Sequence, residues 1–413
     1  MMSAAAVRVS HPTGKLSGTA ILPASKSEAN RALIIRALTG EDFLIHNLSD
    51  ANDTQLLNRI LSTPAGEEVS AEDAGTVMRF LTAYYAATGQ KLVLTGTPRM
   101  CQRPIGVLVD ALRTLGADIE YLGEEGYPPM RMKGFSGTGT NQLSVRSDIS
   151  SQYISALLMI GPLLPQGLEL TLEGKISSAP YIRMTLAQMA HFGVQAKFEG
   201  NHISVPAQKY QAKEFTVESD WSAASYWYSM TALAQEADVF LPALRFNSLQ
   251  GDSVLPELMV PFGVKTEFTE NGVRLTKQPK EEKPERIDFS DCPDLAQTVA
   301  ALAAGIKVEV EMTGLESLRI KETDRIAALQ NEVQKFGAAL TEVEPDVFKL
   351  ILEKQPENEA RVHTYEDHRM AMAFAPLALK LPLVVEEPKV VRKSYPRYWE
   401  ELQKAGFEVE EVQ

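Results

Sequence analysis

A hydrophobic residue, then Gly, then a small or apolar residue closes one amphipathic stretch after another along this chain. Leu112-Arg113-Thr114-Leu115-Gly116-Ala117 is one such ending and Met189-Ala190-His191-Phe192-Gly193-Val194 is another. The pattern returns at Leu258-Met259-Val260-Pro261-Phe262-Gly263-Val264, Val333-Gln334-Lys335-Phe336-Gly337-Ala338 and Leu402-Gln403-Lys404-Ala405-Gly406-Phe407. Each Gly stands where a left-handed residue would end a helix. Two short alternating segments follow, split by turn signals such as Glu199-Gly200-Asn201 and Glu270-Asn271-Gly272. The last four glycines recur roughly every 70 residues, the mark of a repeated supersecondary unit. A weaker sixth unit ends near Leu61, its Gly displaced to Gly66. The chain thus reads as α/β, with six copies of a β-α-β-α-β-β-like unit. Periodicity leaves the grouping open; two domains of three is the expectation, since 413 residues exceed what one core usually serves.

The formal net charge is -13, which argues against general binding of nucleic acid or an anionic membrane, because either needs a basic face. Any basic cluster is therefore a local exception. The two cysteines, Cys101 and Cys292, and six histidines show no metal-ligand spacing, so neither a structural zinc site nor a disulfide framework is expected. Met1 to Gly14 lacks the apolar run of a signal peptide. The longest apolar stretch, Tyr153 to Leu164, is about half a membrane span and contains Gly161 and Pro162. A soluble cytoplasmic protein is expected. Tyr226, Trp227 and Tyr228 sit in a helical setting and are expected in the core.

The local exceptions are several. Arg319-Ile320-Lys321-Glu322-Thr323-Asp324-Arg325 places five charged side chains in seven positions ahead of a helical pattern. On a helix Lys321 and Arg325 would share a face, with Glu322 near whatever anion they hold, and Thr323 and Asp324 are capping candidates. Leu22-Pro23-Ala24-Ser25-Lys26-Ser27-Glu28-Ala29-Asn30-Arg31 reads as strand, tight turn and helix start, where free N–H groups favour anions. It lacks the glycines of a nucleotide-binding loop. Asp73-Ala74-Gly75-Thr76-Val77-Met78-Arg79 is another small-residue turn opening a helix, and Gly75 permits close backbone approach. Arg99 and Arg103 flank a further helix start, and Ser147-Asp148-Ile149-Ser150-Ser151-Gln152 supplies neutral donors before an apolar helix. Tyr365-Glu366-Asp367-His368-Arg369-Met370 and Val391-Arg392-Lys393-Ser394 add cations near the C-terminus.

From Leu22 to Trp399, in content and in order, these motifs resemble the 5-enolpyruvylshikimate-3-phosphate synthases. The resemblance implies a two-domain inside-out α/β barrel with three βαβαββ repeats per domain, joined by a double crossover near Ala20 and Asp220. Domain one would hold residues 1–19 and 220–413, domain two residues 20–219, with the active site in the cleft between them. It also implies transfer of the enolpyruvyl group of phosphoenolpyruvate to the 5-hydroxyl of shikimate 3-phosphate, by a monomer without cofactor. Asp294, Glu322 and Lys26 would be catalytic. Shikimate 3-phosphate would fall to Lys26, Ser27, Arg31, Ser150, Ser151, Gln152, Ser178, Tyr181, Asp294 and Lys321. Phosphoenolpyruvate would fall to Lys26, Gly75, Arg103, Gln152, Arg325, Arg369 and Lys393, with Asp73, Thr76, Arg79 and His368 in support. The substrates bring roughly five negative charges, which lysines and arginines from both halves would offset, and ligand anions would draw an open cleft closed.

Asp73 stands where the family usually has Asn, and a carboxylate there should repel phosphoenolpyruvate unless it pairs or turns away. Ala24 replaces the usual Gly of its turn, and Ser317 stands where some members have Asn. Gly75 is retained, which implies inhibition by glyphosate at the phosphoenolpyruvate site. Two alternatives are a sister transferase acting on UDP-N-acetylglucosamine, to which Cys101 gives a foothold, and a non-catalytic anion-binding relative.

Overall fold

All five glycines that end the repeated pattern are left-handed, with φ of 106° at Gly116, 87° at Gly193, 85° at Gly263, 79° at Gly337 and 93° at Gly406. Each donates its N–H to the carbonyl three residues earlier, at 2.9 to 3.1 Å. The helical stretch is sealed there, and the chain turns into a β-hairpin after the first four and into the single strand β22 (Glu408–Val412) after Gly406. Gly66 is not left-handed. The hydroxyl of Ser62 instead bonds the Asn58 carbonyl at 2.7 Å, and no hairpin follows.

The computed structural model describes residues 5–412 except 138, 147–149, 175, 177–178, 281–284 and 354–358. The chain opens with β1 (Ala6–Ser10) and β2 (Lys15–Thr19), then runs through α1 (Lys26–Thr39), β3 (Ile45–His46) and α2 (Asn52–Leu61). Two full repeats follow. The first is β4 (Glu68–Ser70), α3 (Gly75–Ala87), β5 (Leu92–Thr95), α4 (Gly106–Thr114), β6 (Ala117–Tyr121) and β7 (Met130–Phe135). The second is β8 (Gln142–Arg146), α5 (Ser151–Ile160), β9 (Leu168–Glu173), α6 (Ala179–His191), β10 (Lys197–Glu199) and β11 (His202–Val205). After β12 (Phe215–Thr216) come α7 (Trp221–Leu233), β13 (Glu236–Pro242), α8 (Leu255–Leu258), β14 (Val264–Thr269) and β15 (Gly272–Lys277). The next repeat is β16 (Arg286–Asp288), α9 (Ala296–Ile306), β17 (Val310–Thr313), α10 (Arg325–Lys335), β18 (Ala338–Glu344) and β19 (Val347–Leu352). The chain closes with β20 (Ala360–Val362), α11 (His368–Phe374), β21 (Leu383–Glu386), α12 (Tyr398–Lys404) and β22 (Glu408–Val412).

Five four-stranded sheets share one topology: β4-β5-β7-β6, β8-β9-β11-β10, β2-β13-β15-β14, β16-β17-β19-β18 and β20-β21-β1-β22. In each, the first two strands are parallel and the rest antiparallel. The sixth repeat is reduced to the parallel pair β12-β3. Its faint sequence signal has that cause: no hairpin closes it among the described residues. The two strands at the N-terminus are lent out, β1 to the last repeat and β2 to the repeat of α7.

The chain divides into two compact units, Met1–Ser25 with Glu218–Gln413, and Lys26–Val217. Where it passes between them, Ser25 N–H bonds the Glu218 carbonyl at 2.8 Å and Asp220 N–H bonds that of Pro23 at 2.9 Å. Each unit is built around the first helices of its repeats. In one, α7, α9 and α11 pack on each other; in the other, α1, α3 and α5 do. Apart from α1, which carries the buried Glu28, Asn30 and Arg31, these helices are apolar nearly all round, as central helices must be. Every residue from Tyr153 to Ile160 of α5 and from Ala296 to Ala304 of α9 is buried. In α7, Tyr226, Trp227 and Tyr228 are buried in the core. Sheet strands instead alternate, buried on one face only, as in Leu168–Glu173. Helices inside and sheets outside is the inside-out arrangement.

Candidate active site

The chemistry-bearing residues cluster at the turns that lead from a strand into a helix. In the unit Lys26–Val217, Lys26 begins α1 and its Nζ lies 3.2 Å from Oδ2 of Asp53, a buried carboxylate in the first turn of α2. Arg31, one turn further along α1, is 2% exposed and donates to the Ser27 carbonyl, Ser155 Oγ and Thr185 Oγ1, each at 2.8 Å. Its guanidinium also stands over the rings of Phe80 and Tyr181, 5.6 and 5.9 Å from their centroids. Burial pulls its pKa down to about 10 against the opposing influence of Tyr181 and Glu28. The charge is therefore costly where it sits, and a bound anion would relieve it.

The start of α3 carries Gly75 and Thr76. A Cβ on Gly75 would lie 2.5 Å from Nη1 of Arg79 and 2.8 Å from Nη1 of Arg103, so only glycine lets both guanidiniums close on this turn. Arg79 donates to Oε1 of Gln152 at 3.0 Å, and Gln152 donates to Thr76 Oγ1 at 3.0 Å. Gln152 belongs to α5, whose first turn is capped by the Ser150 hydroxyl accepting from Gln152 N–H at 3.3 Å. Ser151 is half-buried as the first residue of that helix, and Asp73 is exposed. Ser178 lies outside the described residues.

In the other unit, Arg325 is the hub. It is 2% exposed and binds three carboxylates: Asp367 Oδ2 at 2.7 Å, Glu322 Oε2 at 2.8 Å and Asp294 Oδ1 at 3.0 Å. Arg369 binds the other oxygen of Asp294 at 2.8 Å, and Lys393 Nζ lies 4.0 Å from Glu322 Oε1. Burial alone would raise the pKa of Asp294, but Arg369, Lys321 and Arg325 outweigh it and hold the carboxyl below its usual range. Lys321 is pushed down by burial against the pull of Asp294. The Asp324 side chain caps α10 by accepting from Ile326 and Ala327 N–H, both at 3.1 Å. The helix consequently begins at Arg325, so Lys321 lies outside it and the two do not share a helical face. Both still converge on Asp294, because the bend between them folds the cation back.

Asp367 is fully buried and caps α11 through Arg369 N–H at 2.8 Å. It is delivered by an unusual turn: Tyr365 and Glu366 are consecutive left-handed residues, with φ of 55° and 57°. Such conformations persist only when the surroundings hold them. Tyr365 Oη donates to Glu332 Oε1 at 2.8 Å, Glu366 N–H to Glu387 Oε2 at 3.3 Å, and Asp367 N–H to the Thr364 carbonyl at 2.9 Å. His368 is buried at the start of α11, with Nδ1 3.6 Å from Asp367 Oδ1. Asp53, Ser222, Asp252, Glu332 and Glu387 escaped the reading of motifs, because none sits in one of the charged motifs, and Glu332 adjoins a repeat ending that was read for its glycine alone.

The family model described as EPSP synthase (3-phosphoshikimate 1-carboxyvinyltransferase) matches residues 58–402. The chain belongs to the EPSP synthase family. A 3-phosphoshikimate 1-carboxyvinyltransferase of Bacteroides fragilis is 50% identical over 396 residues, covering 95% of this chain and 96% of its own. One from Neisseria gonorrhoeae is 37% identical, covering 92% of this chain and 94% of its own. The fold is also that of the EPSP synthase of Acinetobacter baumannii, with a TM-score of 0.79 at 21% identity, covering 99% of this chain and 100% of that one. The enolpyruvyl transferase NikO of Streptomyces tendae has the same fold, with a TM-score of 0.70 at 14% identity over 99% of this chain and all of its own. Among the described residues no helix is long and apolar enough to cross a membrane.

Proposed function

We propose that the chain transfers the enolpyruvyl group of phosphoenolpyruvate to the 5-hydroxyl of shikimate 3-phosphate, giving 5-enolpyruvylshikimate 3-phosphate and phosphate. Membership of the EPSP synthase family supports this reaction over transfer to a nucleotide sugar. The observation in the structure that carries it is Asp294, a carboxylate kept ionised by Arg369, Lys321 and Arg325. An ionised carboxylate can accept a proton, and cations beside it can take the oxygens of a phosphate or carboxylate.

In the addition step the 5-hydroxyl oxygen bonds to C2 of phosphoenolpyruvate, its proton passes to Asp294, and C3 gains a proton from Glu322 or Lys26. In the elimination step the C2–O bond to phosphate breaks and a proton leaves C3, restoring the double bond. Gripped by cations, Asp294 is a weak base in the empty site. Substrate anions that claim Arg369 and Arg325 loosen that grip and raise its basicity.

Arg31, Lys26, Ser27, Ser150, Ser151, Gln152, Tyr181, Asp294, Lys321 and the undescribed Ser178 are assigned to shikimate 3-phosphate. Lys26, Gly75, Arg103, Gln152, Arg325, Arg369 and Lys393 are assigned to phosphoenolpyruvate, with Arg79 and Thr76 holding Gln152. On this reading the enzyme works as a cytoplasmic monomer on two small anions. The test is phosphate release from phosphoenolpyruvate offered with shikimate 3-phosphate or with UDP-N-acetylglucosamine. Release with the first alone is expected; release only with the second would overturn the assignment.

A further inference from the structure

Asp252 lies in the 3-10 turn Gly251–Val254, between β13 and α8, and is 2% exposed. Its Oδ2 accepts a hydrogen bond from Ser222 Oγ on α7, and its Oδ1 is buried without a hydrogen-bond donor among the described residues. A buried carboxylate satisfied at one oxygen only is expensive to keep, so its placement needs a reason. The same Ser222 hydroxyl accepts from Nη2 of Arg369 at 3.4 Å, and that Nη2 also binds Asp294 Oδ2 at 2.8 Å. Asp252 orients the serine hydroxyl, whose lone pair then faces the guanidinium. Other groups acting on Asp252 are Asp294 and Asp220, which oppose its ionisation, and Arg369, which favours it.

We propose that Asp252 is a positioning residue for enolpyruvyl transfer, acting through Ser222 to aim the Arg369 guanidinium. It touches no reacting atom; it fixes the direction from which Arg369 meets Asp294 and the phosphoenolpyruvate anion. This rests on the function proposed above. The fourth carboxylate of this unit's cluster is thereby given work that its position far from any charged motif conceals.

The experiment compares Asp252→Ala, Asp252→Asn, Ser222→Ala, Ser222→Thr and the Asp252→Ala/Ser222→Ala double variant with the parent, in steady-state phosphate release. Parent turnover with shikimate 3-phosphate is established first, since its absence would sink the function itself and not this inference. Losing one orienting contact to a charged group should raise KM for phosphoenolpyruvate about tenfold in either alanine variant. KM for shikimate 3-phosphate should stay within about twofold, a split that a loss of folded protein would not give. Asn keeps an oxygen for the Ser222 hydroxyl and Thr keeps a hydroxyl, so both should restore most of the parent value. The double variant should be no worse than the poorer single, because both cut one relay. Alanine variants within twofold of the parent, effects that multiply in the double, or failure of both conservative variants to rescue would each overturn the proposal. Should Asp252→Ala not fold, the Ser222→Ala and Ser222→Thr pair decides it by the same KM split.

Discussion

Asp367→Ala is the sharpest test of the Arg325 hub. Asp367 is fully buried, Arg325 is 2% exposed, and their contact is 2.7 Å. Removing one partner of a buried ion pair costs about 3 to 5 kcal/mol, because a charge is left without compensation. Glu322 and Asp294 remain on Arg325 at 2.8 and 3.0 Å, which argues for the lower end. The lost cap on α11 adds about 1 kcal/mol, so the total is about 4 kcal/mol. At about 2 to 4 °C per kcal/mol for a domain of this size, the melting temperature should fall by about 8 to 16 °C. Asp367→Asn keeps an oxygen for the cap and a neutral acceptor for Arg325, and should lose about half as much. All three tryptophans, Trp221, Trp227 and Trp399, belong to the unit that contains Arg325, so tryptophan fluorescence reports its unfolding selectively. Urea and thermal unfolding followed by that signal measure the effect. A loss under about 1 kcal/mol in Asp367→Ala would refute the reasoning, since Glu322 and Asp294 would then suffice to compensate Arg325.

Glu322→Gln should lower turnover by at least about a hundredfold while shikimate 3-phosphate still binds, as expected of an acid–base group; single-turnover chemistry against equilibrium binding separates the two, and unchanged turnover would remove Glu322 from the reaction. Gly75→Ala would put a methyl group 2.5 and 2.8 Å from the Arg79 and Arg103 nitrogens, forcing both guanidiniums away, so KM for phosphoenolpyruvate should rise about tenfold or more; an unaltered KM would mean that neither cation serves that substrate. Glyphosate should inhibit in competition with phosphoenolpyruvate, and inhibition kinetics indifferent to phosphoenolpyruvate would contradict the site assigned to Gly75. Burial, with the Asp294 and Asp220 charges, raises the Asp252 pKa to about 7 against Arg369 and the Ser222 hydrogen bond. Between about pH 4 and 7 the folded chain then holds a proton the unfolded chain has released, so this group's contribution is lost as pH rises. Asp252→Asn should accordingly melt progressively higher than the parent across that window, and a gap constant from pH 4 to 7 would count against the raised pKa.

What could be read before folding was whatever is local in the chain. A left-handed glycine after a helix is a property of a few adjacent residues, and all five repeat endings, Gly116 to Gly406, have that conformation. The charged runs at Lys26–Arg31, Lys321–Arg325 and Asp367–Arg369 were legible for the same reason. The lending of β1 and β2 was not legible in periodicity. β1 pairs with Leu383–Glu386 and Glu408–Val412, and β2 with Glu236–Pro242, and a five-residue strand carries no mark of so distant a partner. Pairing of that kind is settled by packing and loop closure, not by neighbours in sequence.

The residues missed within the cluster follow from the same logic. In a βαβ unit the turns that leave the strand ends lie on one side, which is where ligands bind in α/β proteins. Each of the twelve α-helices among the described residues is entered through such a turn or through the crossing segments, and at most of these entrances stands a residue of the two clusters. Lys26, Gly75, Ser150, Ser222, Asp294 and Asp367 lie at the first helices; Asp53, Arg103, Tyr181, Arg325 and Lys393 lie at the second. The repeat of α7 lacks an obvious contributor at its second entrance because α8 spans only four residues, too few to present a helical period in sequence. Asp252 occupies that entrance. A search made by repeat position, asking which polar residue stands at each equivalent turn, finds Asp252 where a search for charged runs passes it over.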